Sequence, residues 1–377
     1  MRDAVIVDAV RTPIGKRRGS LSTIHPGDLS AHVLTALAER NGLDPALVDD
    51  VVWGCVTQQG EQSANVGRVG VLAAGWPEQV PATTVDRKCG SSQQAVAFAA
   101  AGVIAGQYDI AIGGGVESMS RVPMGSNVGD GAPYPGSVLE RYDVERFNQG
   151  LGAEMVAEKW GFSRQQLDEY SARSHERTAA AADAGAFDAQ LAPLAGLTAD
   201  EGLRRGTSVE SLAGLRPAFT EDGVIHAGNS SQISDGAGAL LVTTSEVAAQ
   251  HGWRPIARIH TTVVTGDDPV IMLTGPIPAT AKALQRSGLD LADIGAFEVN
   301  EAFAPVPLAW QAEFGVRDEL LNPLGGAIAV GHPLGGSGAV LMTRLVHHMR
   351  DQGIRYGLQT MCEAGGLANA TILELLD

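Results

Sequence analysis

Leu37-Ala-Glu-Arg-Asn-Gly-Leu-Asp44 returns in the second half of the chain as Ala283-Leu-Gln-Arg-Ser-Gly-Leu-Asp290. Each copy closes an apolar-periodic run. Leu29, Val33, Ala36 and Leu37 fall at helical spacing, Gly42 can cap that helix at its C-terminal end, and Val51 to Trp53 resumes as a strand. Gly275-Pro-Ile-Pro opens the second helix, and Ala296 to Val299 resumes a strand after it. A third echo pairs Gly106-Gln-Tyr-Asp-Ile-Ala-Ile-Gly-Gly-Gly115 with Gly357-Leu-Gln-Thr-Met-Cys-Glu-Ala-Gly-Gly366, each following an alanine-rich or apolar helix. These repeats predict a duplicated α/β unit. The competing explanation is that helix-glycine-strand grammar recurs in any doubly wound protein.

Working outward, Ala4 to Val10 is a short apolar run entering Arg11-Thr-Pro-Ile-Gly15, a buried strand followed by a turn. Between about Ser118 and Ile225 the grammar changes. Asn127 to Gly136 reads as loop, and Arg164 to Ala184 as a polar, alanine-rich helix with alternating charges. Excursions of this length usually cover a site or make a contact. The expected organisation is therefore residues 1–117 with 226–250 as one half, 118–225 as an inserted loop or cap domain, and 251–377 as the other half.

The chain has 377 residues, 47 of them glycine, which suits tight turns and close helix-sheet packing in two lobes or one large enzyme domain. Its net charge of -16 argues against a nucleic-acid surface, so an anionic ligand must meet a local basic patch. Three cysteines make no disulfide framework, and Met1 to Arg11 carries no long apolar run. No run of about 18 apolar residues occurs, so a soluble cytoplasmic protein in a reducing compartment, with no membrane partner, is expected.

The chemistry gathers at two thiols and an imidazole. Cys89 follows the predicted strand Val80 to Val85 and begins the predicted helix Gly90 to Gly102. A helix start favours thiolate over thiol, and Arg87 and Lys88 add positive charge. His332, in Gly331-His-Pro-Leu-Gly-Gly-Ser-Gly338, again puts a titratable group on a glycine-lined turn, before the apolar helix Val340 to Met349. Cys362 lies near the end of the strand Gly357 to Met361, before Ala364-Gly-Gly366, where backbone amides can face a developing oxyanion. Asn300, opening Asn300-Glu-Ala-Phe-Ala304 at a strand end, can hold a water or polarise an oxygen. Cys55, expected inside a strand from Val51 to Val56, reads as core, and His347 and His348 as packing residues. One thiolate, one base and one thiol that moves a proton on carbon together suit carbon-carbon bond chemistry.

These motifs carry a resemblance. Cys89 in its setting, Asn300-Glu-Ala-Phe-Ala304, Asn322 to Gly338 and the late Cys362 with its glycines resemble the thiolase family, from Val7-Asp-Ala-Val-Arg-Thr-Pro-Ile-Gly15 onward over nearly the whole chain. Gly114 to Ser120, Arg216 to Phe219 and Ala227 to Gly236 are similar to family stretches as well. The resemblance implies a five-layer αβαβα fold of two related halves, with Cys89 as the acylated nucleophile, His332 as its activating base and Cys362 as acid/base at the α-carbon. It implies one oxyanion hole from His332 and a water held by Asn300, and a second from the backbone N–H groups of Cys89 and Ala364. Arg204 matches an arginine at the nucleotide end of CoA, Phe219 a wall of the pantetheine tunnel and Ser231 a pantetheine contact. CoA and acyl-CoA are thus the implied substrates, with no further cofactor and no metal, and the implied assembly is a homodimer or homotetramer.

Three departures bear on specificity. Ala364 stands where the family usually has glycine and Ala368-Asn369 interrupts the glycine-rich tail, so a φ above zero there would strain the chain. Asn148-Gln149-Gly150 replaces the His-Met-Gly of many short-chain members, which speaks against tight acetyl-only selectivity. Gly54 to Ser63 is similar to members that cleave larger acyl-CoAs, including steroid-derived ones. The expected activity is thiolytic cleavage of 3-ketoacyl-CoA, with the reverse Claisen condensation possible. The alternatives are a biosynthetic acetyl-CoA acetyltransferase, a ketoacyl synthase of the same broad fold, which would not need Cys362, and an inactive acyl-CoA-binding protein. No G-x-S-x-G elbow or G-x-x-x-x-G-K-[ST] loop is present, and no two cysteines lie at metal-ligand spacing.

Overall fold

The computed structural model describes residues 2–376. Ten strands are formed: β1 Val5–Arg11, β2 Gly15–Lys16, β3 Asp50–Gly54, β4 Ala82–Val85, β5 Ile110–Ser118, β6 Ser234–Thr243, β7 Ala257–Gly266, β8 Ala296–Val299, β9 Tyr356–Glu363 and β10 Leu367–Leu375. The helices are α1 Pro26–Asn41, α2 Val66–Ala73, α3 Ser91–Ala105, α4 Gly136–Tyr142, α5 Gln149–Trp160, α6 Arg164–Asp183, α7 Val209–Ala213, α8 Ser245–Gln250, α9 Pro276–Ser287, α10 Pro305–Phe314, α11 Ala327–Val330 and α12 Ser337–Gln352.

The strand order β4-β3-β5-β6-β1-β7-β10-β9-β8 contains the same four-strand pattern twice. In the first half β3 runs parallel to β5, β5 antiparallel to β6, and β6 antiparallel to β1. In the second half β8 runs parallel to β9, β9 antiparallel to β10, and β10 antiparallel to β7. Among the described residues the two sets pair at Val5↔Arg258 and Ile6↔Ala257. β4 extends the first set, and its counterpart in the second is a single parallel bridge, Phe297↔Leu321. The first echo is a structural repeat, α1 corresponding to α9; the third joins strands that do correspond, β5 and β9, but in a different register, since Gly106 caps α3 as Gly353 caps α12, while Gly357 lies in β9. Gly42 and Gly288 both take the left-handed cap conformation, at φ 57° and 73°.

Three apolar cores separate the layers. Val33, Leu37 and Val71 of the outer helices pack on the first sheet with Val51 and Leu241. Ala95, Val96 and Val103 of α3 share a middle core with Met342, Leu345 and Met349 of α12. Ala279, Ala283 and Trp310 of α9 and α10 cover the second sheet. This is the αβαβα sandwich, with α3 and α12 buried between the sheets; α3 is rich in alanine and valine on most faces, while α12 also buries Thr343, Arg344 and His347.

Some element ends differ from expectation. β3 stops at Gly54 and leaves Cys55 just beyond it, buried, and β4 begins at Ala82 rather than Val80. The helix carrying Arg164 ends at Asp183, and the loop around Asn127 contains a tight turn over Ser126–Val128. Between β5 and β6 the chain leaves the sheets and returns to cover the second half. Arg164 bonds the Leu212 and Leu215 carbonyls, Asp168 pairs with the His226 ring at 2.6 Å, and Asn229 joins them at 3.2 Å.

Candidate active site

Cys89 sits on the turn between β4 and α3. Lys88 before it is in the left-handed region at φ 47°, a conformation that costs a non-glycine residue free energy and is held here by Asp86. Asp86 accepts the Lys88 backbone N–H at 2.7 Å and pairs with its ammonium at 2.6 Å. Lys88 thus spends its charge on Asp86 instead of on the thiol. Cys89 itself is buried at 4% exposure and precedes Gly90, the residue that caps α3. The expected helix-start thiolate is not what forms: burial, with a contribution from the Glu363 carboxylate, pushes the Cys89 thiol up to about 12 even though a Gln149 side-chain hydrogen bond offsets part of the rise. Desolvation of the charged form outweighs a helix terminus whose first N–H groups lie beyond the sulfur.

His332 lies on the matching turn before α12. Gly331 before it adopts φ 107°, and a Cβ there would meet Ser234 Oγ at 2.1 Å, so the turn requires glycine. His332 is 3% exposed, and burial lowers its ring to about 4, leaving it neutral near pH 7. Its tautomer follows from its neighbour. Ser337 Oγ donates its one proton to the Pro333 carbonyl at 2.8 Å, so it must accept from His332 Nδ1–H at 2.5 Å. The lone pair is then on Nε2, which faces Asn300 Nδ2 at 3.4 Å. Asn300 Oδ1 has no partner among the described residues.

Cys362 is fully buried near the end of β9, close enough to Cys89 and Glu363 for their charges to raise a thiol already pushed up by burial. After it, the positive φ values fall on Gly365 and Gly366, at 87° and 70°, and not on Ala364. Alanine at 364 therefore meets no backbone penalty, which removes the strain anticipated from its departure from glycine.

Cys89, His332, Gln149, Phe219 and Ser231 line one cavity of about 180 Å³. Ser231, Gln232 and Ile233 also line a second cavity, of about 620 Å³, together with Arg204, Lys16 and Arg17. The two spaces share these walls, so the basic cavity lies beside the one that holds the thiol. Phe219 stacks edge-on against Phe303 at 5.9 Å and lies over Gly150, where a Cβ would enter its ring at 2.1 Å. The Ser231 backbone is fixed by the Ala302 carbonyl at 2.9 Å. Asn148 caps α5 through the N–H groups of Gly150 and Leu151, aiming Gln149 into the smaller cavity.

Residues that the motif reading passed over hold this arrangement in place. Glu117 accepts from Val56 N, Thr57 N, Gln62 Nε2 and Gly335 N at 2.7–3.0 Å, tying the His332 turn to the first half. The run from Gly54 to Ser63 is thereby committed to scaffolding. Glu301 accepts from Tyr170, Ser174, Asn322 and the Ile328 N–H at 2.7–3.1 Å, anchoring α6 beside Asn300. Glu363 is also buried, but neither of its oxygens has a partner among the described residues. Glu117 and Glu363 are each the one acidic residue of an otherwise uncharged strand, a signal the sequence does carry, while Glu301 follows β8, which has Glu298 of its own. His347 bonds the Ala9 carbonyl at 3.1 Å, a packing role as expected.

Comparison with known proteins agrees with this geometry. Residues 4–246 match the thiolase N-terminal domain and residues 253–375 the thiolase C-terminal domain. The chain is 47% identical to the steroid 3-ketoacyl-CoA thiolase of Mycobacterium tuberculosis over 388 residues, covering 100% of this chain and 95% of that one. It is 44% identical to the 3-ketoacyl-CoA thiolase of Escherichia coli over 390 residues, covering 99% and 100%. Among solved structures, human mitochondrial 3-ketoacyl-CoA thiolase in complex with CoA is similar at TM-score 0.91 and 35% identity, covering 100% and 98%. The acetyl-CoA acetyltransferase of Bacillus anthracis is similar at TM-score 0.93 and 35% identity, covering 100% and 99%.

Proposed function

The chain belongs to the thiolase family, acyltransferases that cleave 3-ketoacyl-CoA with CoA, and we propose that Cys89, His332, Cys362 and Asn300 carry that reaction here. The observation that supports this most is the neutral His332, whose Nε2 lone pair is met by a long 3.4 Å contact from Asn300 Nδ2, lining the same cavity as a protonated Cys89. A neutral pair needs no buried charge at rest. The proton leaves the thiol only as sulfur attacks.

In the proposed sequence, Cys89 Sγ gives its proton to His332 Nε2 and bonds to the 3-keto carbon of the substrate. The oxyanion that forms is met by the backbone N–H groups of Cys89 and Ala364. The bond between C2 and C3 then breaks, its electron pair passing to the C2 side as the enolate of acetyl-CoA. His332, now carrying its proton on Nε2, becomes a donor to that enolate oxygen, beside a water held by Asn300. Cys362 protonates C2, and acetyl-CoA leaves. A CoA thiol next loses its proton to the site, attacks acyl-Cys89 and releases the shortened acyl-CoA, and the protons return to Cys89 and Cys362. These steps balance with CoA as the only co-substrate. An oxyanion donor is typically worth on the order of a hundredfold to a thousandfold in rate.

Arg204, with Lys16 and Arg17, gives the acidic chain a local cationic mouth suited to the CoA nucleotide, while Ser231 and Phe219 line the inward path for pantetheine. Gln149 widens the chemistry of the acyl end: it places an amide beside the sulfur where a pocket for acetyl alone needs only apolar walls. This favours acyl groups larger than acetyl, the direction in which the name of the Mycobacterium tuberculosis relative also points. The test is kcat/KM for thiolysis across 3-ketoacyl-CoAs from four carbons to bulky ring-bearing chains. A rise with size supports this reading, and a maximum at four carbons turns it to a biosynthetic acetyl-CoA acetyltransferase.

The same reading places the protein in the cytoplasm, where its three buried free thiols stay reduced. No helix among the described residues is long and apolar enough to cross a membrane. It also makes the protein a homo-oligomer, since β4 is an open sheet edge and Phe98 and Ile104 of the neighbouring α3 are exposed at 47% and 45%. Light scattering on the purified protein reads the mass directly.

A further inference from the structure

Glu363 is the one residue beside the two thiols for which the reaction sequence has no use. Its side chain is fully buried and neither oxygen has a hydrogen-bond partner among the described residues. It lies directly against Gly90, the residue after the nucleophile: a Cβ at Gly90 would meet Glu363 Oε1 at 1.9 Å and Asn369 Nδ2 at 2.6 Å. Only glycine admits the carboxyl there. Asn369 reaches the same spot from β10 and donates to the Gly90 carbonyl at 3.1 Å, while its own Oδ1 is also without a partner. The carboxyl is thus packed over Gly90 beside an amide that donates to the Gly90 carbonyl and makes no hydrogen bond to either carboxyl oxygen. A carboxylate buried without partners is disfavoured, and a proton on the acid removes the charge.

We propose that Glu363 is a positioning residue for the thiol chemistry: neutral, it leaves Cys89 free to pass its proton to His332, and ionised, it holds that proton in place. The inference rests on Cys89 being the nucleophile. The charged and titratable groups that face Glu363 are few. From the β4–α3 turn come Arg87, which favours the carboxylate, Asp86, which opposes it and is itself tied to Lys88, and Cys89. From β9 comes Cys362, and from β10 only the neutral Asn369. Burial dominates this set and raises the Glu363 acid to about 8, so its change of state falls where the enzyme works. An anion so close to both sulfurs disfavours either thiolate. Cys362, which must hold a proton in order to give it to carbon, gains from that charge, whereas Cys89 loses.

The test is the rate of iodoacetamide alkylation of Cys89 from pH 6 to 10.5, read by peptide mapping in the wild type and in Glu363→Gln. Alkylation follows the thiolate, so a lone thiol gains tenfold per pH unit below its pKa. The wild type is expected to show a shoulder near pH 8, where the gain is interrupted by about tenfold before it resumes. Glu363→Gln is expected to follow the unbroken line, matching the wild type at pH 6.5 and reacting about tenfold faster at pH 9. A wild-type profile without a shoulder, or a folded Glu363→Gln that superimposes on it throughout, overturns the proposal. If Glu363→Gln fails to fold, the wild-type shoulder still decides. Acetyl-CoA labelling of wild-type Cys89 tests the identity of the nucleophile on its own, so the two ideas fail separately.

Discussion

Glu117 and Glu363 are two buried carboxyls at the ends of matching strands, and they have opposite surroundings. Glu117, near the end of β5, accepts four hydrogen bonds and ties the His332 turn to the first half. Glu363, at the end of β9, accepts none. The register extends the comparison. Gly54 pairs with Gly115 in one half and Val299 with Thr360 in the other, so the next residues along, Cys55 and Asn300, correspond, as do Glu117 and Cys362 two residues on. The first half has turned these positions into scaffold. The second half sets its versions behind the cavity wall, Asn300 against the His332 ring and Cys362 near Cys89, while the nucleophile comes from the turn before the first half's central helix and His332 from the turn before the second's. Duplication preserved the fold while the two strand ends took different work.

The sharpest way to break this division is at the turn that does chemistry in each half. His332→Ala should slow acetyl labelling of Cys89 by roughly a hundredfold to ten-thousandfold, the range for a lost general base, while Cys55→Ala leaves it unchanged. The pH dependence of labelling sharpens the point. Since burial lowers His332 to about 4, the acid limb of the wild-type labelling rate should fall near pH 4, and a limb near the ordinary histidine value would show that the ring is not desolvated as described.

The two carboxyls differ next in stability. Glu117→Ala leaves four donors without their acceptor at about 1–3 kcal/mol for each group that stays dry, so urea denaturation should show a loss of several kcal/mol. Glu363→Gln removes no hydrogen bond and should cost little at neutral pH. The sign of its pH dependence follows from a folded-state acid at about 8 against 4.5 for the free group: the stabilising contribution is complete below about 4.5 and is lost as pH rises through about 8. Wild-type stability should therefore decline across that window, with a flatter slope in Glu363→Gln. Equal slopes would mean the carboxyl is not held protonated.

The smallest expected effect lies at the mouth. Arg204→Ala should raise KM for CoA about tenfold, the worth of one charge-assisted contact, with a smaller change in kcat. An unchanged KM would move the nucleotide contact to Lys16 or Arg17.

The repeats were legible because a glycine that caps a helix and an apolar strand after it leave a local signature, as Gly42 and Gly288 show. Residue by residue, the structure brings Cys89, His332, Phe219 and Ser231 to one cavity and Arg204 to the neighbouring basic one, while Cys362, Asn300 and Ala364 line neither. What could not be read was protonation. A helix start and two cations in sequence suggested a thiolate at Cys89, but Lys88 turns to Asp86, and burial, a property of the whole packed molecule, decides the outcome. Glu117, Glu301 and Glu363 escaped for the same reason, since the partners of the first two, and the burial that isolates the third, come from distant segments. The concern over Ala364 dissolved because the left-handed residues are the two glycines after it.

The central claim is that the thiols serve different steps, and one pair of assays on Cys362→Ala tests it. Acylating Cys89 from acetyl-CoA exchanges one thioester for another and moves no proton on carbon, so labelling of Cys89 should persist near the wild-type rate. Thiolysis of a 3-ketoacyl-CoA needs a proton at C2, so the same variant should lose roughly a hundredfold to ten-thousandfold in kcat. Turnover near wild type with Cys362 absent would contradict the account, make that thiol structural and leave a simple acyl-transfer site at Cys89.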